Sequence, residues 1–319
     1  MGPSYERINY ALRPAKSVQR KMLLEAFRRL SPFGRIDSYR YIGLGSTYFS
    51  DFVLFHNVLG INQLISIEKD VSNRQRFEFN RPYSCIQLLL GHSNEVLPTL
   101  HWNHKTILWL DYDGTLEPAV LADVKYFCAS ASRGSLLIVT VNAEPTALKE
   151  NESRLAILKS ALGVDKVPPD VEEKDLSQWG TARVYKRIIT TEIRETLGER
   201  NGSRGLDNAI QYRQLFDFCY ADGARMLTVG GLIFERVQEG DVERCRFKDL
   251  PFVRSDIRPK SKPYMIEVPS LTFREIRHLD KQLPRMKRRR VASPKVPISD
   301  LKKYERIYRY FPAFAETEV

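Results

Sequence analysis

The sequence predicts an α/β protein: a doubly wound, mostly parallel sheet with a C-terminal antiparallel hairpin, a helical insertion and a C-terminal helix. Three observations predict it. Segments 39–44, 63–68, 84–90, 106–110 and 135–141 are short and almost continuously apolar. Helical patterns at 52–59, 71–79, 95–100 and 117–130 separate them, and strands without polar alternation belong to a sheet covered on both faces. The first strand breaks at Gly43 and Gly45 and restarts as a helix at Ser50 or Asp51, natural N-caps ahead of Phe52, Phe55, Val58 and Leu59.

Composition narrows the function. With 319 residues, 43% of them hydrophobic and 11% aromatic, the chain has ample material for a core. It holds no apolar run long enough to span a bilayer and no signal-like apolar start, so no membrane is expected and the cytoplasm is favoured. The cysteines Cys85, Cys128, Cys219 and Cys245 lack metal-ligand spacing, and His101 and His104 flank Trp102 without a Cys or acidic partner. No metal is expected. A net charge of +11 and a pI near 9.4 point to a polyanionic partner, DNA or RNA.

In chain order, residues 1–34 form an N-terminal basic helix. Pro14 suits its first turn, and Val18, Met22, Leu23, Ala26, Phe27 and Leu30 make the apolar stripe. Arg13, Lys16 and Arg20, just upstream of the glycine turn, are candidate phosphate contacts. The parallel core spans 35–145. A helical insertion follows over 146–225, with helices expected at 147–162, 183–197 and 208–220. Closing strands and a helix occupy 226–283: extended runs at 226–237 and 242–252 around Gln238-Glu239-Gly240-Asp241, a strand at 264–268 and a helix at 271–283. Residues 284–298 read as an exposed basic linker, with Lys287, Arg288, Arg289 and Arg290 as further nucleic-acid contacts. Ser299 or Asp300 caps a last helix within 299–319, whose stripe Leu301, Tyr304, Ile307, Tyr308 and Phe311 must dock on the core.

In a parallel sheet the carboxyl ends of the first four strands share one edge. Gly43 and Gly45, Glu68, His92 and Ser93, and Asp111 and Asp113 should therefore converge. Glycines let a ligand approach the backbone, and an acid at the second strand's tip suits ribose hydroxyls. Alternation puts Asp111 and Asp113 on one side, with Tyr112 opposite, as candidates for general acid–base catalysis.

These residues resemble a class I S-adenosylmethionine-dependent methyltransferase. The turn Tyr41-Ile42-Gly43-Leu44-Gly45-Ser46 is similar to that family's first, methionine-contacting motif. Glu68 matches its ribose acid, Gly91-His92-Ser93 stands in its adenine-contacting place, and Asp111-Tyr112-Asp113-Gly114 occupies its active-site motif. The resemblance implies S-adenosylmethionine as cofactor and methyl transfer, onto nucleic acid, as the net charge suggests, or onto a small molecule. Three departures qualify it: the first motif lacks a third glycine, His92 replaces an adenine-binding carboxylate, and Asp-Tyr-Asp-Gly is not the signature of amino-methylating nucleic-acid enzymes. Two alternatives stand beside methyl transfer. The same aspartates suit a DNA base glycosylase, with Tyr48, Phe49 or Tyr112 stacking on a flipped base. A catalytically idle nucleic-acid-binding module is the other.

Overall fold

The computed structural model describes residues 13–256, 258, 261–284 and 291–312. Its centre is an eight-stranded sheet in the order β3-β2-β1-β4-β5-β7-β6-β8. The strands are β1 (Arg40–Leu44), β2 (Gln63–Glu68), β3 (Ile86–Leu90), β4 (Thr106–Asp111), β5 (Ser135–Asn142), β6 (Ile210–Ala221), β7 (Arg225–Glu235) and β8 (Tyr264–Ile266). β7 pairs antiparallel with both β5 and β6, and every other pairing is parallel. The carboxyl ends of β1, β2, β4 and β6 therefore lie along one edge. The order reverses between β1 and β4, which is where open α/β sheets hold ligands.

Alternation along the strands builds two cores. Tyr41, Trp109, Ile138 and Phe218 face one side and pack with α1 (Pro14–Arg28) and α2 (Ser50–Leu59). Ile42, Leu108, Leu110 and Val139 face the other, under α5 (Pro118–Ser130) and α7 (Gly180–Asn201). Short helices α3 (Arg74–Asn80) and α4 (Ser93–Val96) follow β2 and β3, and α6 (Arg154–Leu162) begins at Ser153, whose hydroxyl accepts the Ala156 N–H. No described helix is long and apolar enough to cross a membrane.

The expected helix at 208–220 is instead β6, a core strand lying within the expected helical insertion. Its burial is nearly continuous and its register shifts between Gln214 and Phe216, so no clean period of two survives in the sequence. Polar residues inside it are satisfied from distant segments. Lys186 on α7 donates to Asp217 at 2.6 Å and to Ser261 at 2.6 Å, and Gln214 donates to the carbonyl of Arg254 at 2.7 Å. The hairpin joins β6 to β7 through Asp222-Gly223-Ala224, with Gly223 at φ +94°, and not through Gln238–Asp241. Residues 238–241 instead end a short 3-10 turn and open α8 (Glu239–Arg244). Both edges of β7 are occupied, so 242–252 has no strand to join. It folds into helical turns that bury Val242, Phe247, Leu250 and Phe252.

The C-terminal elements α9 (Phe273–Asp280) and α10 (Ile298–Ile307) form a small cluster around Leu279, Val296, Leu301 and Tyr304. The docking expected of the last helix is present. Ile307 and Tyr310 enter the α1-side core, the Tyr310 hydroxyl donates to Glu25, and Lys21 donates to the Phe311 carbonyl at 3.0 Å. The basic run 285–290 lies outside the described residues.

Gly230 and Gly240 separate packing from propensity. A Cβ on Gly230 would stand 2.6 Å from the Leu137 carbonyl oxygen of β5, whereas one on Gly240 in α8 meets nothing within 4 Å. Gly230→Ala should cost about 2 kcal/mol or more by overpacking, and Gly240→Ala should be neutral or stabilise by up to about 1 kcal/mol. Denaturant midpoints at equal m-values test both; equal effects would contradict this register.

Candidate active site

At the carboxyl edge, each glycine of the first turn serves a particular neighbour. Tyr41 and Gly43 share one face of β1, and a Cβ on Gly43 would come within 2.7 Å of the Tyr41 hydroxyl. That hydroxyl donates to Asp51 in the first turn of α2. A Cβ on Gly45 would fall 2.1 Å from Glu68 Oε1 and 2.0 Å from Ser66 Oγ. The missing side chain at 45 is thus the space the acid of β2 occupies. Burial pushes the Glu68 carboxyl up to about 8, against the Ser66 hydroxyl that donates to it at 3.2 Å and with Asp51 and Asp70 adding to the rise.

Asp111 ends β4, and its partner comes from the first helix. Lys16 Nζ donates to Asp111 Oδ1 at 2.5 Å and to the Tyr220 hydroxyl at 3.2 Å, and lies 4.4 Å from the Trp109 ring centroid. Burial brings the ammonium down to about 8, against the pull of Asp111. Asp222, beyond β6, accepts the backbone N–H groups of Ala15 and Lys16 at 3.2 and 2.9 Å, fixing where α1 begins. The phosphate contacts expected of Arg13, Lys16 and Arg20 would have to be made by buried side chains, for the three are 8%, 1% and 9% exposed. The signal was present in the spacing: 16, 19, 20, 23 and 27 lie on one helical face, continuous with the apolar stripe.

Other expected site residues scatter. Tyr112 turns to the opposite face from Asp111, where its hydroxyl and that of Ser93 both donate to Asp123, Ser93 at 2.5 Å. Burial raises the Asp123 carboxyl, and burial with Asp123 beside it raises the Tyr112 phenol. His92 is exposed at the start of α4, its N–H donating to Glu95 at 3.4 Å, and Ser46 is half-buried, accepting the Tyr48 N–H at 3.3 Å. Asp113 is exposed beyond the strand end, while Asp111 is held by Lys16, so the two carboxylates do not form a shared pair with one environment. Tyr48 is 39% exposed. Phe49 is a correction: at 1% exposure and φ +46° it packs edge-on against Phe52, with ring centroids 5.7 Å apart, and has no free face for a base. Lys287, Arg288, Arg289 and Arg290 lie outside the described residues. Among the described residues no cluster of His, Cys, Asp or Glu is arranged to hold a metal.

Beside Pro14, Ala15 and Tyr220 opens a cleft of about 770 Å³, continuing along the end of β6 toward α9 and α10. Trp179, Tyr220, Met265, Phe273, Tyr304 and Phe311 supply its apolar wall, and Asp222, Glu267 and Lys303 supply charge.

The Glu68 shift carries a stability test. Its folded pKa lies above the ordinary value of 4.5, so between about 4.5 and 8 the unfolded chain is ionised while the folded protein keeps the proton. Parent stability therefore falls with rising pH across that window. Glu68→Gln removes the titration and should gain on the parent, little at pH 5 and on the order of 3 kcal/mol at pH 8. Unfolding curves at both pH values check this, and a gap that does not widen would contradict a buried neutral acid.

Solved structures similar to this chain include LepI in complex with SAM, 13% identical over 64% of this chain and 46% of that chain, with a TM-score of 0.37. The O-methyltransferase TomG from Streptomyces achromogenes, in complex with SAM, is 13% identical over 71% of this chain and 91% of that one, with a TM-score of 0.34. Precorrin-6y C5,15-methyltransferase from Geobacter metallireducens is 9% identical over 65% and 85%, with a TM-score of 0.30. This chain spans less than half the length of LepI. No curated protein matches it. One family model, described as "Putative O-methyltransferase", matches residues 8–319, all but the first seven residues, and the chain belongs to that family.

Proposed function

We propose that this protein transfers a methyl group from S-adenosylmethionine to an oxygen of a small, largely apolar acceptor. The observation that carries the reading is the cradle at Gly45, where a carboxylate at the tip of β2 fills the space a side chain would take. A ligand entering over the turn meets the Glu68 carboxyl, which lies against Gly45. That set fits an adenosine-type ligand whose ribose hydroxyls need an acceptor. S-adenosylmethionine supplies the methyl group when bound.

The rest of the chemistry belongs to the chain's own groups. Asp111 has a side chain 25% exposed, whereas Lys16 is closed off at 1%, so Asp111 is the end of the Tyr220–Lys16–Asp111 chain that an acceptor reaches. It is suited to take the proton from an acceptor hydroxyl, with Lys16 fixing its orientation. The 770 Å³ cleft, which meets this chain of groups at Tyr220 and is not lined by Asp111 or Glu68, has the size of small-molecule sites, and its aromatic wall favours a flat acceptor. A second reading, a nucleic-acid acceptor, is favoured by the net charge of +11.

Labelled S-adenosylmethionine should leave its label on an oxygen of the acceptor. Asp111→Asn should lower turnover about 10²-fold or more while cofactor affinity changes little. Lys16 loses its proton as pH rises past about 8, so turnover should carry a basic limb there that Lys16→Met removes. Full activity in both variants would place the chemistry elsewhere. If nucleic acid is the acceptor, replacing Lys287, Arg288, Arg289 and Arg290 with Ala should reduce the salt slope of binding by about 0.7–0.9 for each phosphate no longer neutralised. An unchanged slope would remove those four residues from any nucleic-acid interface.

A further inference from the structure

Arg20 is buried near the site with its Nε unpartnered among the described residues. The residue is 9% exposed, its Nε is enclosed without a partner, and among the described residues its guanidinium makes no hydrogen bond or ion pair. Its neighbours on α1 are engaged: Lys16, one turn earlier, bonds Asp111, and Gln19 donates to Thr228 at 2.5 Å. Buried guanidinium groups are normally paired, and one left open beside a ligand-binding turn marks a place for an anion.

The surroundings fix which side of the site it serves. Arg20's charge acts on Lys16, Asp51, Tyr41 and Tyr220, the groups between α1 and the first turn. Asp51 feels that charge but makes no hydrogen bond or ion pair with Arg20, and its Oδ2 accepts instead from the Tyr41 hydroxyl, whose ring lies against Gly43. Arg20 thus faces the Gly43 side of the turn, while Glu68 holds the Gly45 side. A ligand spanning the turn with its ribose at Glu68 would bring its other end toward α1.

We infer that Arg20 is the binding residue for the α-carboxylate of the S-adenosyl ligand's amino-acid end, closing a buried guanidinium on a carboxylate. The fork of N–H donors matches a carboxylate's two oxygens, so the pair neutralises a charge that the fold already buries. The inference rests on the cofactor reading above, and the test separates the two.

The probes are S-adenosylhomocysteine, which carries the carboxylate, and 5′-methylthioadenosine, which lacks the whole amino-acid end. Calorimetry without acceptor on the full chain reads both. The parent should bind both, S-adenosylhomocysteine more tightly. Arg20→Ala should weaken S-adenosylhomocysteine by roughly 10- to 100-fold. Its affinity for methylthioadenosine should stay within about threefold, since removing the guanidinium cannot affect a group the ligand lacks. Arg20→Gln, which keeps most of the buried stem, replaces the alanine variant if that one does not fold. Equal loss for both ligands, or no loss for either, overturns the assignment of Arg20 while leaving the cofactor reading intact. Failure of the parent to bind either ligand overturns both.

Discussion

The ion pair between Lys16 and Asp111 is the contact on which the arrangement of this molecule depends. It joins the first helix to the last residue of the fourth strand, and Tyr220 of β6 and Trp109 of β4 complete the environment of the ammonium. A lysine at 1% exposure is costly to bury, and its proton affinity falls accordingly. The compensating contacts come from two strands, β4 and β6, far apart in sequence. The pair therefore forms only once α1 is seated across the sheet, with Asp222 holding the helix N-terminus and Gln19 reaching Thr228 on β7.

That seating explains why one face of the sheet carries a polar stripe through an otherwise apolar core. Thr228 meets Thr140 of β5 at 2.7 Å, and Thr140 accepts the Trp109 indole N–H at 3.0 Å. The line runs from α1 through β7 and β5 to β4, ending near the strand tip that bears Asp111. Buried polar chains of this kind are favourable when every member is satisfied. Here most members are, while among the described residues Gln19 Oε1 and Arg20 Nε are left open, both on the helix that borders the site.

The far end of the sheet is closed differently. Gly230 and Gly231 of β7 let neighbouring backbone approach: a Cβ on Gly231 would stand 2.2 Å from the Arg213 carbonyl oxygen. Lys186 and Asp217 pair inside the same region and tie α7 and β6 to Asp256 and Ser261. The 3-10 turn after α10 (Tyr308–Tyr310) then docks on α1 through Tyr310 and Glu25, so the helix bearing Lys16 is held between the sheet and the last described part of the chain.

What the sequence by itself determined was the parallel core and the edge that carries the site. Continuous apolar strands, the broken glycine turn, Glu68 and Asp111 each follow from local patterns of burial and alternation, and all four meet where the reversal of strand order requires. Only the tertiary structure decided which charges face inward. Lys16 looks like a solvated helix position until the strand tip bearing Asp111 lies against it, because the partner that lets this charge be buried arrives from elsewhere in the chain. β6 is the same case. Its buried Gln214 and Asp217 and its register shift hide a strand whose polar groups are paired by residues 186, 254 and 256. Local sequence sets the period of an element. The distant partner sets whether a polar residue within it can sit inside.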